Sequence, residues 1–202
     1  MSDFAVVTTA GGLNVPFAVR ARVHERRLAL APLIEGSVLD LGGVGLDLSP
    51  YRDASRVTVV TRLRGESAEL GNQAERLGME LHVKGQVPDA GCYDRIVSAM
   101  RLAAARDQEE LIARLQRILA PEGRLYAIEP TCPTGRMGRV QRRWSGWIRR
   151  NTGWSLGEDV VANLRRSGLF VAEVDRFRIA TAVLPLRTFV QATVLHPLEE
   201  TT

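Results

Sequence analysis

Cysteine is nearly absent from this 202-residue sequence: Cys92 and Cys132 stand far apart, outside any Cys-x-x-Cys or Cys/His cluster. That excludes a disulfide framework, and no metal-ligand spacing is visible. Lysine is scarcer still. All of the 27 basic residues except Lys84 are Arg, and 23 acids leave a net charge of only +4. Outside a basic stretch near 136–150 the bases are interspersed with acids, and with aromatics at 5% of the chain no single-strand-binding aromatic platform can be read, so no nucleic-acid partner is expected. No apolar run approaches the roughly 18 residues of a spanning helix. The opening Met-Ser-Asp-Phe shows no basic stretch leading into an apolar one, so the expected compartment is a reducing cytoplasm. What is there is ordinary for a globular chain: 45% hydrophobic and 25% charged residues, enough for one domain around one core.

Helix-period segments alternate with short β-branched ones, which predicts an α/β fold. After a leader over 1–17, Val19, Val23, Leu30, Leu33 and Ile34 recur near helical spacing with Arg20, Arg22, Arg26 and Arg27 between them. This reads as an amphipathic helix ended by Gly36. Residues 37–41 and 56–61 read as buried strands, 64–77 as a polar helix, and 79–83 and 93–98 as further strands. Leu111, Ile112, Leu115, Ile118 and Leu119 form one stripe of a helix over 107–119, with Asp107, Glu109 and Glu110 at its positive end. Strand 124–129 follows. Then come a basic helix near 136–150 and a helix opened by the capping-box spacing Ser155-x-x-Glu158. Strands 170–178 and 188–195 close the chain and are expected to pair as a hairpin.

Asp40 ends the first of these strands and runs at once into Gly42, Gly43 and Gly45. Such a turn lets backbone pass close to a ligand at the carboxyl end of a parallel sheet, where nucleotides bind; a tight turn without a ligand is the plain alternative. The order of elements, with Val38-Leu-Asp-Leu-Gly42, Gly45-Leu-Asp-Leu-Ser-Pro-Tyr51, Arg114-Leu-Gln-Arg-Ile-Leu-Ala-Pro-Glu-Gly-Arg124 and Gly168-Leu-Phe-Val-Ala-Glu-Val-Asp-Arg-Phe177, resembles the class I S-adenosylmethionine-dependent methyltransferases. It is most similar to their small-molecule branch, which includes ubiquinone/menaquinone-type and alkyl-thiol methyltransferases. The likeness covers about 18–196. It implies a Rossmann-like sheet, mostly parallel, with a C-terminal antiparallel hairpin and helices on both faces. It also implies S-adenosylmethionine as cofactor and methyl transfer to a small, apolar acceptor beneath a helical cap at 135–167.

By this resemblance the cofactor would lie against Asp40, Gly42, Gly43, Gly45, Thr61, Gln86 and Ser98, with Ala99 and Met100 beside the sulfonium. Glu129, at the end of the fifth strand, is the candidate general base, ahead of Cys132 and His24; His82 and His196 carry less signal, and Asp94 is expected to bind backbone amides. The sequence also departs from the pattern. Its glycine fingerprint is one residue short, Thr61 stands where the family has a ribose-binding acid, and Gln86 follows Gly85 where an Asp is usual. These departures keep open a second reading, a degenerate methyltransferase fold that acts as a binding or scaffolding partner in a homo- or hetero-oligomer. A dinucleotide oxidoreductase is not expected, because Gly-x-Gly-x-x-Gly and the ribose acid are both missing. Along 136–150, Met137, Val140, Trp144, Trp147 and Ile148 share one helical face and the arginines take the rest. Packing over the sheet is the plain use of that face, and contact with a membrane surface is the alternative.

Overall fold

The computed structural model describes residues 7–9, 13–42, 47–61, 64–131, 143, 146, 159–180 and 187–196. Strands β1 (Val7–Thr9) and β2 (Leu13–Val15) pair antiparallel in a small sheet of their own, within the stretch read as a leader. Helix α1 (Phe17–Leu28) buries Val19 and Val23 and ends well before Gly36. Pro32 is the reason: it has no N–H to continue the helical ladder and disfavours helical backbone before it, so the chain passes into a 3-10 turn at Ala31–Leu33. Gly36 instead serves the strand that follows. It has φ +72, and a Cβ there would lie 2.4 Å from Asp94 Oδ2, the oxygen that accepts the Ser37 N–H at 2.7 Å.

The main sheet has seven strands: β3 (Gly36–Asp40), β4 (Ala54–Val60), β5 (Glu80–Lys84), β6 (Tyr93–Ala99), β7 (Leu119–Pro130), β8 (Phe170–Arg178) and β9 (Thr188–Leu195). Their spatial order is β5-β4-β3-β6-β7-β9-β8. The first five run parallel, β9 is antiparallel to β7, and β8 is antiparallel to β9. Strand β7 begins earlier than the sequence predicts, because Leu119 pairs with Tyr93 before the register shifts and Arg124 meets Arg95.

Side chains alternate between the faces of a strand, and both faces of this sheet are covered. On one, Val19 and Val23 of α1 and Leu70 and Ala74 of α2 (Arg64–Leu77) pack on Val38, Val57, Val97 and Tyr126. On the other, Ile112 and Leu115 of α3 (Gln108–Ile118) and Val160 and Leu164 of α4 (Val160–Arg166) pack on Leu39, Ile96, Leu125 and Ala127. Asp107 caps α3 by accepting the Glu110 N–H at 2.9 Å. Asp159 caps α4 through the Val161 and Ala162 N–H groups; the spacing Ser155-x-x-Glu158 lies outside the described residues. So does the Trp-bearing stretch 136–150, apart from Arg143 and Gly146, which are helical and exposed. Among the described residues no helix is long and apolar enough to cross a membrane.

Candidate functional site

The strand order reverses between β3 and β6: the chain builds outward from β3 through β4 and β5, then returns to place β6 on the other side. In open α/β sheets such a reversal opens a crevice at the carboxyl ends of the strands. A cleft of about 520 Å³ lies there, with Leu41, Val60, Val87 and Leu111 as apolar walls and Gln86, Arg101, Arg106 and Arg114 among its polar lining. That volume is within the range of small-molecule sites. Arg114 is engaged at its edge, 3.3 Å from Asp89 Oδ1 and 3.8 Å from Glu110 Oε1. Gly42, with φ +69, brings the turn close to β4, where a Cβ would sit 2.6 Å from the Val60 carbonyl oxygen. Gly43 and Gly45 lie outside the described residues.

Asp40 points to the α1 face of the sheet and is 3% exposed. Its Oδ1 accepts the Gly42 N–H at 2.8 Å, and its Oδ2 meets Arg27 Nη2 at 2.6 Å and the Tyr51 hydroxyl at 2.8 Å. Arg27 also donates to Tyr51 at 2.8 Å. All three side chains are buried. Burial works against the charge on Arg27, yet Asp40 and Tyr51 more than offset it and raise the guanidinium above its ordinary value. Burial, helped by Asp40, pushes the Tyr51 phenol up as well. Asp40 and Tyr51 flank the glycine turn in sequence, so the cluster ties both ends of that turn to α1.

Arg27 and Tyr51 were not among the expected site residues. Tyr51 closes the segment Gly45–Tyr51, and Arg27 is one of four arginines between the apolar positions of its helix. Its spacing carried the signal: Val19, Val23 and Arg27 follow one another at four-residue intervals, which stacks them on one helical face. His24, one position further round, is half-exposed with its Nε2 3.5 Å from Asp47 Oδ2.

Thr61 is 6% exposed at the end of β4, and its N–H donates to the Lys84 carbonyl at 2.8 Å. Gln86 is exposed on the cleft rim. Ser98 and Glu129 are both fully buried on the α3 face, and the Ser98 hydroxyl donates to Glu129 Oε1 at 2.6 Å. Glu129 accepts three more bonds, from the Arg101 and Leu102 N–H groups at 3.1 Å and from Ala103 N–H at 3.0 Å. The carboxylate expected as a base therefore faces loop amides. Burial pushes its pKa up from 4.5 to about 7 against the pull of those donors. Cys132 lies outside the described residues; His82 pairs with Glu80 on exposed β5, and His196 bonds the Gln116 carbonyl. Among the described residues no cluster of His, Cys, Asp and Glu has metal-site geometry.

No family model matches the sequence, and no curated protein matches it either. Solved structures do. The cyclase SpnF superposes with a TM-score of 0.65 at 15% identity, over 87% of this chain and 81% of its own. The N-methyltransferase NodS from Bradyrhizobium japonicum gives 0.62 at 19% identity, over 89% and 97%. A cyclopropane synthase from Mycobacterium tuberculosis gives 0.64 at 17% identity, over 86% and 82%. These likenesses do not single out the ubiquinone/menaquinone-type branch. Together with the seven-stranded, mostly parallel sheet and its C-terminal antiparallel hairpin, they show that this chain has the Rossmann-like methyltransferase fold.

Proposed function

We propose that the protein binds S-adenosylmethionine in the cleft at the strand-order reversal and passes its methyl group to a small, apolar acceptor. The cleft itself carries this reading. Leu41, Val60, Val87 and Leu111 offer apolar walls of the kind a purine needs, and the Gln86 amide at the rim offers both a donor and an acceptor. The nucleoside half of the cofactor fits that chemistry. Bound there, the sulfonium supplies a methyl carbon open to displacement, and the protein's part is alignment. Asp40 contributes at one remove, by holding the Gly42 amide and balancing Arg27 so that the glycine turn keeps its shape. Thr61 would give the ribose one hydroxyl in place of a carboxylate. Gly43, Gly45 and Ser98 remain in the proposed set as the turn and the strand end beside the sulfonium, and Glu129 as the strand-end acid behind it.

One observation favours the second reading, a non-catalytic binding or scaffolding partner: the Asp40 oxygen nearest α1 is already taken by Arg27 and Tyr51, and no acid replaces it at Thr61 or Gln86. Calorimetric titration with S-adenosylmethionine and S-adenosylhomocysteine, alongside thermal unfolding, separates the two. Ligand at a hundred times its Kd stabilises by about 2.7 kcal/mol, or roughly 5–10 °C for a chain of this length. A rise of that size with matching heat supports the enzyme. No heat at millimolar ligand moves the assignment to the partner protein.

A further inference from the structure

The loop from β6 to α3 is shaped by buried groups behind the cleft. Met100, fully buried, takes a left-handed φ of +61, a conformation unfavourable for a side chain of its size. The next three N–H groups, of Arg101, Leu102 and Ala103, converge on Glu129 at 3.0–3.1 Å. Successive backbone N–H groups turned inward make an anion-binding nest, and here the anion belongs to the protein. On its other side the loop is held by Gln108, whose Nε2 donates to the Leu102 carbonyl at 3.1 Å and whose Oε1 accepts from Asn163 of α4. The same short loop supplies Arg101, Ala104, Ala105, Arg106 and Asp107 to the cleft wall.

We propose that Glu129 is a positioning residue: its carboxylate acts as a resident anion that gathers three amides, and in doing so it sets the wall of the cleft without touching what the cleft binds. This rests on the reading of the cleft as the cofactor's nucleoside site. Among the described residues, the groups facing the carboxylate are the Ser98 hydroxyl from β6 and the three loop amides; α3 and α4 bring neutral amides, Gln108 and Asn163, to the same loop. The charged side chains of the loop, Arg101, Arg106 and Asp107, line the cleft. Burial leaves the carboxyl titrating at about 7. Above that pH all four donors find an ionised acceptor. That acceptor is buried with no counter-charge among the described residues, and because the carboxyl returns toward its ordinary value once the loop opens to water, the loop loosens as pH rises through about 7.

The test is hydrogen exchange of the whole chain, followed at 100–104 from pH 6 to 8 after correction for intrinsic rates, with S-adenosylhomocysteine titrations over the same range. We expect protection in the parent to fall about tenfold as pH rises and affinity to fall with it. In Glu129→Gln, which keeps the shape but cannot ionise, both should be flat, whereas Glu129→Asp should restore a pH dependence. Ser98→Ala removes a donor that lowers the carboxyl's pKa, so its midpoint should move up, a change that a purely structural role would not produce. Flat protection in the parent overturns the proposal, and so does protection that follows pH while affinity does not. Protection that follows pH with no heat on titration supports the resident anion and overturns the cofactor reading of the cleft.

Discussion

Two carboxylates stand at the carboxyl ends of parallel strands in this fold, and the protein neutralises them in opposite ways. Asp40 is met by a buried cation, Arg27, and by the Tyr51 hydroxyl. Glu129 is met by one hydroxyl and three amides. A cation returns much of the Coulomb energy lost on burial, while neutral donors return less. Asp40 and Arg27 consequently stand or fall together, whereas Glu129 keeps a proton equilibrium within the neutral range. Each acid holds backbone at the carboxyl edge of the sheet, Asp40 through the Gly42 N–H and Glu129 through the N–H groups of 101–103. In both places the loop is shaped from behind.

The largest effect should come from breaking the first arrangement. Asp40→Ala leaves the guanidinium of Arg27 buried without its counter-charge, a loss of about 3–5 kcal/mol, which for this chain length is a fall in Tm of roughly 10 °C. Thermal unfolding of Asp40→Ala, Arg27→Met and the double variant checks it: the double variant should recover much of the loss, and strict additivity would show that the pair is not coupled. A smaller effect is expected at Glu129 and depends on pH. Its folded pKa lies above the ordinary value, so its contribution to stability is complete below about pH 4.5 and disappears as pH rises through about 7. A shift of that size corresponds to an amount on the order of 3 kcal/mol. Urea unfolding at pH 5 and pH 8 should show the parent losing more stability than Glu129→Gln between the two. Equal losses would place the carboxyl's titration outside this window.

Much of the fold was legible because it rests on periodicity. The five parallel strands, the closing hairpin and the stripes of α1 and α3 follow from alternation and from apolar spacing that local chemistry enforces. Gly36 reads in sequence as the end of α1, yet Pro32 stops the helix and Gly36 answers to Asp94, a residue 58 positions away. The site was legible in its strand ends but not in its partners. Asp40 stood out as an acid before glycines; that it spends its outer oxygen on Arg27 depends on α1 folding back over the sheet. Arg27 itself could have been found, since a charge at a four-residue interval from Val19 and Val23 breaks an apolar stripe and asks for a buried counter-charge. Nothing in the sequence around Glu129 pointed to Arg101, Leu102 and Ala103, because a nest is made of backbone.

The smallest effect sharpens the comparison from the ligand's side. Tyr51→Phe removes the hydroxyl that bridges Arg27 and Asp40 but leaves their ion pair, so the cost should be that of one buried hydrogen bond to charged groups, about 1.5–3 kcal/mol. Gln86→Ala touches neither carboxylate. Gln86 is exposed, so Tm should stay within about 1 °C of the parent, as is usual for surface substitutions. If the amide meets the adenine, calorimetry should find S-adenosylhomocysteine bound roughly three- to tenfold more weakly, the worth of one ordinary hydrogen bond. Stability and affinity are then separated by position. Variants behind the loops should move stability first and binding second, and a variant on the rim should move binding alone. A Gln86→Ala protein with unchanged affinity would take the amide out of the site and leave the apolar walls as what recognises the base.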